Sequence, residues 1–187
     1  EVLSATKTAV RKVYAQDDTV TYLISVVNSG SVPLNGLTLE DNLGMYAFAT
    51  TTLTPLSYVA DTINYYVNGV LQPKPTVAAG APLTVSGLNI PAGGNALLVY
   101  ETKPTEYAPM AEESEITNTA TISGGGITPV NVKESIQALS EPVLTITKSV
   151  SPVPVTENGT LTYTFLVQNN GNTAAAAGTA AVITDDF

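Results

Sequence analysis

The sequence predicts an all-β protein built as an antiparallel sandwich, followed by an incomplete second copy of the same module. Three observations carry this prediction. Apolar and polar residues alternate along most segments, turn-forming Asn, Gly and Pro residues separate those segments, and two stretches of the chain resemble each other. Alternation with a period of two is typical of strands with one buried face. Many short strands with frequent turns favour an antiparallel sandwich.

The strand candidates follow this alternation along the chain, and two sites between them suit tight turns. Residues 68 and 69 form an Asn-Gly pair, which favours a two-residue hairpin, and the Pro-Ala-Gly-Gly run at 91–94 is a second turn. Only residues 108–115 hint at a helical turn. The predicted strands are 2–9, 19–28, 36–41, 46–53, 62–67, 69–72, 83–88, 95–103, 115–123, 130–138, 143–149, 160–169 and 179–185.

The internal repeat defines the domain organisation. Residues 7–30 align without gaps with residues 148–171, and after three inserted residues 37–43 match 181–187. We therefore expect a complete module at 1–140 and the N-terminal part of a second, truncated module at 141–187, with a hinge near Pro142. The matched pairs, each 141 positions apart (148 − 7), are Lys7 with Lys148, Tyr22 with Tyr163, Asn28 with Asn169 and Gly30 with Gly171.

Composition argues against several classes of function. The formal net charge is −9, so the chain repels phosphate and nucleic acid is a poor partner. No apolar run approaches the ~20 residues that span a bilayer. The sequence has no Cys and no His, which removes disulfides, thiolate catalysis and the usual general base. Its acidic pairs lack the spacing of a calcium loop. We expect neither an enzyme nor a metal or cofactor.

One group of residues does suggest chemistry. Lys7, Asp41 and Asn118 occupy strand positions at which the alternation predicts core residues. Burial of a lone charge is costly, so burial of these side chains demands partners. On the same face of its predicted strand, Lys7 lies with Leu3 and Ala5, Asp41 with Leu37 and Leu39, and Asn118 with Ile116 and Ala120.

Burial would prepare these side chains for a covalent bond. An apolar site lowers the pKa of lysine and raises that of aspartate. A neutral Lys7 amine can then attack the Asn118 side-chain carbonyl while protonated Asp41 polarises that carbonyl and shuttles protons, and ammonia leaves. Glu101 is an alternative to Asp41 as the acid, because it lies on the same predicted strand face as Leu97 and Val99. We expect the bond to join the first and last strands of the module.

A purely structural interpretation of the same residues is equally open. Lys7 can extend its stem along the sheet and place its amine in solvent at a strand end. Asp41 can cap a turn, and Asn118 can hydrogen bond to backbone at a bulge. The second copy has Lys148 and Asp185 in equivalent positions but no equivalent asparagine, so we do not expect it to close a bond of its own.

Several motifs carry a family resemblance. In the second copy these are, in order, Lys148, GTLTYTF at 159–165, NNG at 169–171 and ITD at 183–185. The first copy adds LNIPAGG at 88–94 and ITNTAT at 116–121. In order and spacing they resemble the tandem domain-of-unknown-function repeat of Gram-positive-type bacterial surface proteins, which is related to isopeptide-forming fimbrial and adhesin modules. The resemblance implies an immunoglobulin-like sandwich, a stalk or spacer role on a cell wall, and Lys–Asn isopeptide bonds assisted by an acid.

Two functions follow as hypotheses. The first is a structural stalk or spacer repeat of a cell-surface adhesin or pilus-like protein, extracellular or attached to the cell wall. The alternative is an adhesion module on the same sandwich that binds a carbohydrate or a host protein. The expected partners are neighbouring repeats of the same protein. We also expect self-association through the incomplete repeat, since half a sandwich exposes an apolar face and free sheet edges.

Overall fold

The structure is a computed structural model that describes residues 2–176 and 182–186. Over these ranges the chain forms sixteen β-strands and no helix, and so offers no helical segment suited to crossing a membrane. It divides into two compact units, Glu1–Leu139 and Ser140–Phe187. The strands of the first unit are β1 Leu3–Ala9, β2 Val13–Tyr14, β3 Val20–Asn28, β4 Leu34–Asp41, β5 Tyr46–Phe48, β6 Thr51–Leu53, β7 Leu56–Tyr58, β8 Asn64–Val67, β9 Val70–Leu71, β10 Thr76–Ala78, β11 Leu83–Ile90, β12 Asn95–Pro104, β13 Glu115–Ser123 and β14 Val130–Ala138.

The first unit is a sandwich of two six-stranded sheets. One sheet has the order β1-β3-β12-β8-β9, with β7 paired to β12, and the other has the order β10-β11-β4-β13-β14-β2. Every pairing in these sheets is antiparallel except that of β14 with the two-residue strand β2. A separate ribbon pairs β5 with β6. The predicted all-β antiparallel class is confirmed.

Alternating burial explains why these segments are strands. Along β3, Val20, Tyr22, Ile24 and Val26 are all buried, while the residues between them are partly or largely exposed. The facing sheet repeats this pattern along β4, β11 and β13, so the inward side chains of both sheets form one apolar core. Burial of each large side chain contributes about 1.5–3 kcal/mol to folding.

The Asn-Gly turn is where the sequence placed it. Asn68 and Gly69 link β8 to β9 with φ angles of 48° and 78°. Two consecutive positive φ values define the type I′ turn, whose twist matches that of the flanking strands. The run 91–94 likewise joins β11 to β12.

Two expectations about secondary structure in the first unit are wrong. The single strand predicted at 46–53 is a ribbon of two strands, because the chain turns at Ala49, whose φ is 51°. Residues 108–114 form turns and loop rather than a helical segment, with Glu113 at a φ of 63°, and Glu115 begins β13. The short strands β2, β7 and β10 carry too few residues to show a clear alternation, and the sequence did not indicate them.

A buried asparagine fixes the loop that follows β3. Asn28 is fully buried, and its Nδ2 donates to the carbonyl oxygens of Val32, Ile90 and Pro91 at 2.9, 3.3 and 3.1 Å. Its Oδ1 accepts the backbone N–H of Gly30 at 3.0 Å. One side chain therefore supplies the partners that buried backbone groups of two loops require.

Replacement of Asn28 with alanine is expected to lower the free energy of unfolding by about 2–3 kcal/mol, because several backbone groups lose their partner at once. Chemical denaturation of the full chain measures this loss. Asn35 is exposed and serves as the matched control, so Asn35→Ala should leave the free energy of unfolding nearly unchanged. An equal effect of the two substitutions would contradict the role assigned to Asn28.

The described residues of the second unit form one hairpin, from β15 Leu144–Ser151 and β16 Thr162–Asn169. Asn169 repeats the role of Asn28, because its Oδ1 accepts the N–H of Gly171 at 3.0 Å and its Nδ2 donates to the carbonyl of Thr173. Glycine is required two residues later, since a Cβ on Gly171 would lie 2.2 Å from the Glu141 carbonyl oxygen. The repeated Asn-x-Gly motif thus has a structural cause.

The strand predicted at 179–185 is absent from the part of this segment that the structure describes. Residues 182–186 have no strand assignment, and 177–181 lie outside the described residues. Apolar side chains of this unit remain largely exposed, among them Leu144, Ile146 and Leu166 at 48%, 52% and 53%.

Candidate functional site

The site lies between the two sheets of the first unit and is centred on Lys7. This residue sits on the inward face of β1, and its side chain has no exposed surface. Its Nζ lies 2.6 Å from Asp41 Oδ2 and donates to the Tyr100 hydroxyl at 2.9 Å. Nζ also lies 4.5 Å from the centre of the Tyr22 ring. A buried ammonium is thus surrounded by a carboxylate, a hydroxyl and an aromatic face.

Asp41 ends β4 and uses its two oxygens differently. Oδ1 accepts the backbone N–H of Leu43 at 2.8 Å. Oδ2 receives hydrogen bonds from Lys7 and Tyr100 and from Asn118 Nδ2, the last at 3.4 Å. Because Oδ1 is held by the backbone, a proton gained by this carboxylate would reside on Oδ2, the oxygen that faces the other side chains of the site.

Asn118 completes the group from β13. It is fully buried, and the 3.4 Å contact to Asp41 is the one hydrogen bond found for its side chain. Its Oδ1 is buried without a partner, as is the hydroxyl of Tyr22. Unpaired buried polar atoms of this kind are costly and uncommon, so two in one site point to a role other than packing.

Burial dominates the electrostatics of the site. It lowers the pKa of Lys7 from the ordinary 10.5, although the nearby Asp41 carboxylate opposes the change. Burial likewise raises the pKa of Tyr100 well above its ordinary value, with Asp41 adding to the effect. The lysine is therefore disposed to lose its proton and the tyrosine to keep it, which favours the neutral amine that a nucleophile must be.

Each residue predicted for the site can now be placed. Lys7, Asp41 and Asn118 come together, whereas Glu101 does not join them. On β12 it is Leu98, Tyr100 and Thr102 that are buried, so Glu101 lies on the opposite face of its sheet. The strand face assigned to Glu101 was therefore wrong, because the inward face begins one residue away. This geometry excludes Glu101 as the acid of the site.

The expected position of Asn118 also needs correction. It was placed on the last strand of the module, but β13 is followed by β14, with which it pairs through residues 115–122. Asn118 therefore lies on the penultimate strand. A bond between Lys7 and Asn118 would still connect the two sheets, since β1 and β13 belong to different ones.

Sequence reasoning missed the two tyrosines of the site. Tyr22 was matched with Tyr163 in the repeat, but its side chain received no role. Tyr100 was passed over because its neighbour Glu101 was assigned to the core face. The alternation Leu98, Tyr100, Thr102 was visible in the sequence and would have indicated Tyr100.

The second unit reproduces half of this arrangement. Lys148 Nζ lies 2.5 Å from Asp185 Oδ1 and 4.5 Å from the centre of the Tyr163 ring, the same distance that separates Lys7 from the Tyr22 ring. The aligned positions of the two copies thus have similar geometry. Among the described residues, no group of acidic side chains could hold a metal ion.

Comparisons with known proteins show similarity of structure only. No protein-family model and no curated protein matches the sequence. A variant of BcpA, the major pilin subunit of Bacillus cereus, is 12% identical with a TM-score of 0.58, covering 91% of this chain and 56% of the pilin. The N-terminal domain of the Streptococcus gordonii adhesin Sgo0707 is 14% identical with a TM-score of 0.52, covering 72% of this chain and 32% of that one.

At these identities the likeness concerns the fold alone, and the chain spans about half of the pilin and a third of the adhesin structure. The matched proteins are Gram-positive pilin and adhesin domains of immunoglobulin-like type. The sandwich of the first unit has their fold.

Proposed function

We propose that this chain is a structural stalk or spacer module of a Gram-positive cell-surface adhesin or pilus-like protein, stabilised by an intramolecular bond between Lys7 and Asn118. The observation that carries the proposal is the buried group of Lys7, Asp41 and Asn118, which joins the inner faces of two sheets. An ion pair alone is weak evidence of stabilisation. A buried amine and a buried carboxamide that both donate to the same carboxylate oxygen form a set of groups that ordinary core packing does not require.

The reaction is a transamidation that occurs once. The Lys7 ammonium gives a proton to Asp41 Oδ2, and the neutral Nζ attacks Cγ of Asn118 to form a tetrahedral intermediate. Asp41 then returns a proton to Nδ2, which it already contacts at 3.4 Å. The Cγ–Nδ2 bond breaks and ammonia leaves. Nζ gives its second proton to the Asp41 carboxylate, so that a neutral Nζ–Cγ amide remains beside a protonated Asp41. Asp41 thus shuttles protons between Nζ and Nδ2, as the sequence suggested, and it contacts the amide nitrogen rather than the carbonyl oxygen that it was also expected to polarise.

The bond suits a load-bearing module. It would connect β1 to β13 across the core, at a sequence separation of 111 positions (118 − 7). A pull applied through the N-terminal strand would reach the second sheet through a covalent link rather than through β-ladder hydrogen bonds. With no Cys in the sequence, this link would take the place of a disulfide.

Binding arrays distinguish the spacer from the alternative, a module that recognises a carbohydrate or host protein. The full chain, labelled at its N-terminus, is applied to glycan arrays and to immobilised matrix proteins. A spacer should bind none of them above the level of a labelled unrelated β-sandwich. Saturable binding to one glycan or protein would replace the spacer proposal with the adhesion module.

The proposed site makes stability depend on pH when the bond cannot form. In an Asn118→Ala variant the pKa of Lys7 in the folded state lies below its value of 10.5 in the unfolded state. At a pH between these two pKa values, the unfolded state therefore binds more protons than the folded state. Stability should therefore rise with pH through this window, since deprotonation removes the cost of the buried charge. Denaturation curves between pH 7 and about 10 measure the slope.

The double variant Asn118→Ala with Lys7→Met is the control, because it keeps the other titrating groups, including the buried tyrosines. The rise attributed to Lys7 should be absent from it. Identical pH dependence in both variants would show that Lys7 does not titrate with a lowered pKa.

The second unit supports a proposal about association. Its hairpin exposes a row of apolar side chains that a complete sandwich would cover, including the paired residues Ile146 and Val167. We expect the chain to self-associate through this unit, with neighbouring repeats of the same protein as the other partners. Light scattering over a range of concentrations should show a mass above that of one chain, and Ile146→Lys should reduce it. A strict monomer at all concentrations would contradict this expectation.

A further inference from the structure

The Tyr100 hydroxyl lies between the amine of Lys7 and the carboxylate of Asp41. Tyr100 is fully buried on β12, and the centre of its ring lies 6.1 Å from that of Tyr22 on the paired strand β3. The phenol oxygen accepts a hydrogen bond from Lys7 Nζ at 2.9 Å, and the phenol proton is donated to Asp41 Oδ2. One hydroxyl therefore contacts both the nucleophile and the proton acceptor of the proposed cross-link.

Lys7 Nζ thus has two hydrogen-bonded routes to the same carboxylate oxygen. One route is direct, because Nζ lies 2.6 Å from Asp41 Oδ2. The other passes through the Tyr100 hydroxyl, which accepts from Nζ and donates to Oδ2. Each route begins at a different N–H of the ammonium, which has three hydrogens to donate.

The cross-linking reaction must remove two protons from Nζ. The first leaves when the ammonium becomes a neutral nucleophile, and the second leaves after Nζ has bonded to Cγ of Asn118. While Nζ keeps the second proton it remains a protonated amine, which departs from a tetrahedral intermediate as readily as ammonia does. Removal of this proton therefore determines whether the intermediate proceeds to the amide or returns to the separate side chains.

We propose that Tyr100 is a further catalytic residue of this reaction, a relay that carries the second Nζ proton to Asp41 Oδ2. The inference rests on the proposed cross-link. As the Cγ–Nδ2 bond breaks, the phenol oxygen takes a proton from Nζ while the phenol proton moves to Oδ2, which is deprotonated again because Asp41 has already protonated Nδ2. Of the three ammonium hydrogens, one leaves in ammonia, one replaces the phenol hydrogen of Tyr100, and one stays on the new amide.

The surroundings of Tyr100 favour a relay that never becomes charged. Burial raises the pKa of Tyr100 well above its ordinary value, and the Asp41 carboxylate adds to this effect. Because a phenolate is disfavoured, the hydroxyl gains one proton as it loses the other. The hydroxyl of Tyr22, the other tyrosine beside Nζ, makes no hydrogen bond and so offers no second relay.

The first test is the rate of bond formation in Tyr100→Phe, which keeps the buried ring and removes the relay. The full chain is made in a short pulse of cell-free synthesis, quenched unfolded in acidic urea, and refolded by dilution into buffer. Intact mass then follows the loss of ammonia in samples quenched at intervals. We expect Tyr100→Phe to form the bond about 100-fold more slowly than the wild type, because a positioned proton-transfer group typically contributes at least this factor.

Tyr65→Phe is the matched control for this substitution. The Tyr65 hydroxyl also donates one hydrogen bond and accepts another, in both cases with the backbone of Asn89 and away from the site. The two variants therefore lose the same number of buried hydrogen bonds. Tyr65→Phe should form the bond at the wild-type rate, and an equal slowing in both variants would overturn the inference.

The solvent isotope effect separates a relay from a structural role. Rates are measured in mixtures of light and heavy water. A relay moves two hydrogens at once, so the wild-type rate should fall along a curve as the fraction of deuterium rises. Tyr100→Phe, left with the direct route, should give a straight line. A residue that only supports the packing of the site would leave the shape of this dependence unchanged.

The outcomes distinguish the relay from the cross-link itself. A wild-type rate in Tyr100→Phe, or the same isotope dependence in both proteins, would overturn the inference and leave the cross-link standing. If Tyr100→Phe does not fold, the wild type decides alone: a curved dependence supports the relay and a straight line overturns it. A wild type that folds and never loses ammonia would overturn both proposals.

Discussion

Replacement of Asn118 with alanine is expected to lower the free energy of unfolding by about 4–5 kcal/mol. The reason is the lost ring closure: a cross-link between Lys7 and Asn118 restricts more than 100 residues of the unfolded chain, and loop entropy assigns about this value to a disulfide of similar span. The melting temperature should fall by roughly 15 °C for a unit of this size. Calorimetry of the full chain measures the change.

Asn131→Ala is the matched control for this prediction, because Asn131 is an exposed asparagine on the neighbouring strand β14. It should leave the bond and the melting temperature almost unaffected. Protease resistance offers a second measurement, since a cross-linked module should survive digestion at temperatures at which Asn118→Ala is cleaved. Equal melting temperatures for wild type and Asn118→Ala would show that no cross-link contributes to stability.

The second large effect is expected at Asp41. Asp41→Asn keeps the shape of the side chain but removes the group that takes the proton from Lys7 and returns it to the leaving nitrogen. The bond should fail to form even though Lys7 and Asn118 are both present. The variant also leaves a buried lysine without its counter-ion, which typically costs about 3–5 kcal/mol when one partner of a buried pair is lost. Its stability should therefore fall at least as far as that of Asn118→Ala.

Intact mass and calorimetry together test this prediction, and Glu40→Gln is the control because Glu40 is the adjacent acid on the exposed face of β4. Glu40→Gln should form the bond normally. Bond formation in Asp41→Asn at the wild-type rate would remove Asp41 from the mechanism and transfer its role to another group of the site.

Much of the fold could be predicted because its causes are local. Alternation along β1, β4 and β13 fixes which side chains face the core, and this was sufficient to place Lys7, Asp41 and Asn118 on inward faces. The Asn-Gly pair at 68–69 determined its hairpin through backbone geometry alone. Aligning the two copies located Asn28 and Asn169 as equivalents before any hydrogen bond was known.

The remainder depended on tertiary structure. Whether Glu101 or Tyr100 faces the core is a matter of strand register, and a shift of one residue exchanges the two faces. The turn at Ala49 requires a positive φ from a residue that does not favour it, so no local pattern indicates the break between β5 and β6. The separate contacts of the two Asp41 oxygens arise from packing between sheets, which no local pattern encodes.

The proposed function depends on one covalent bond, and intact mass spectrometry of the denatured full chain tests it most directly. Succinimide formation at the Asn68-Gly69 pair would release ammonia too, so the loss must be located by digestion. We predict a mass lower than that of the sequence by one ammonia, and a branched fragment that contains both Lys7 and Asn118. A chain with the full sequence mass, or one whose missing ammonia maps elsewhere, would contradict the central claim.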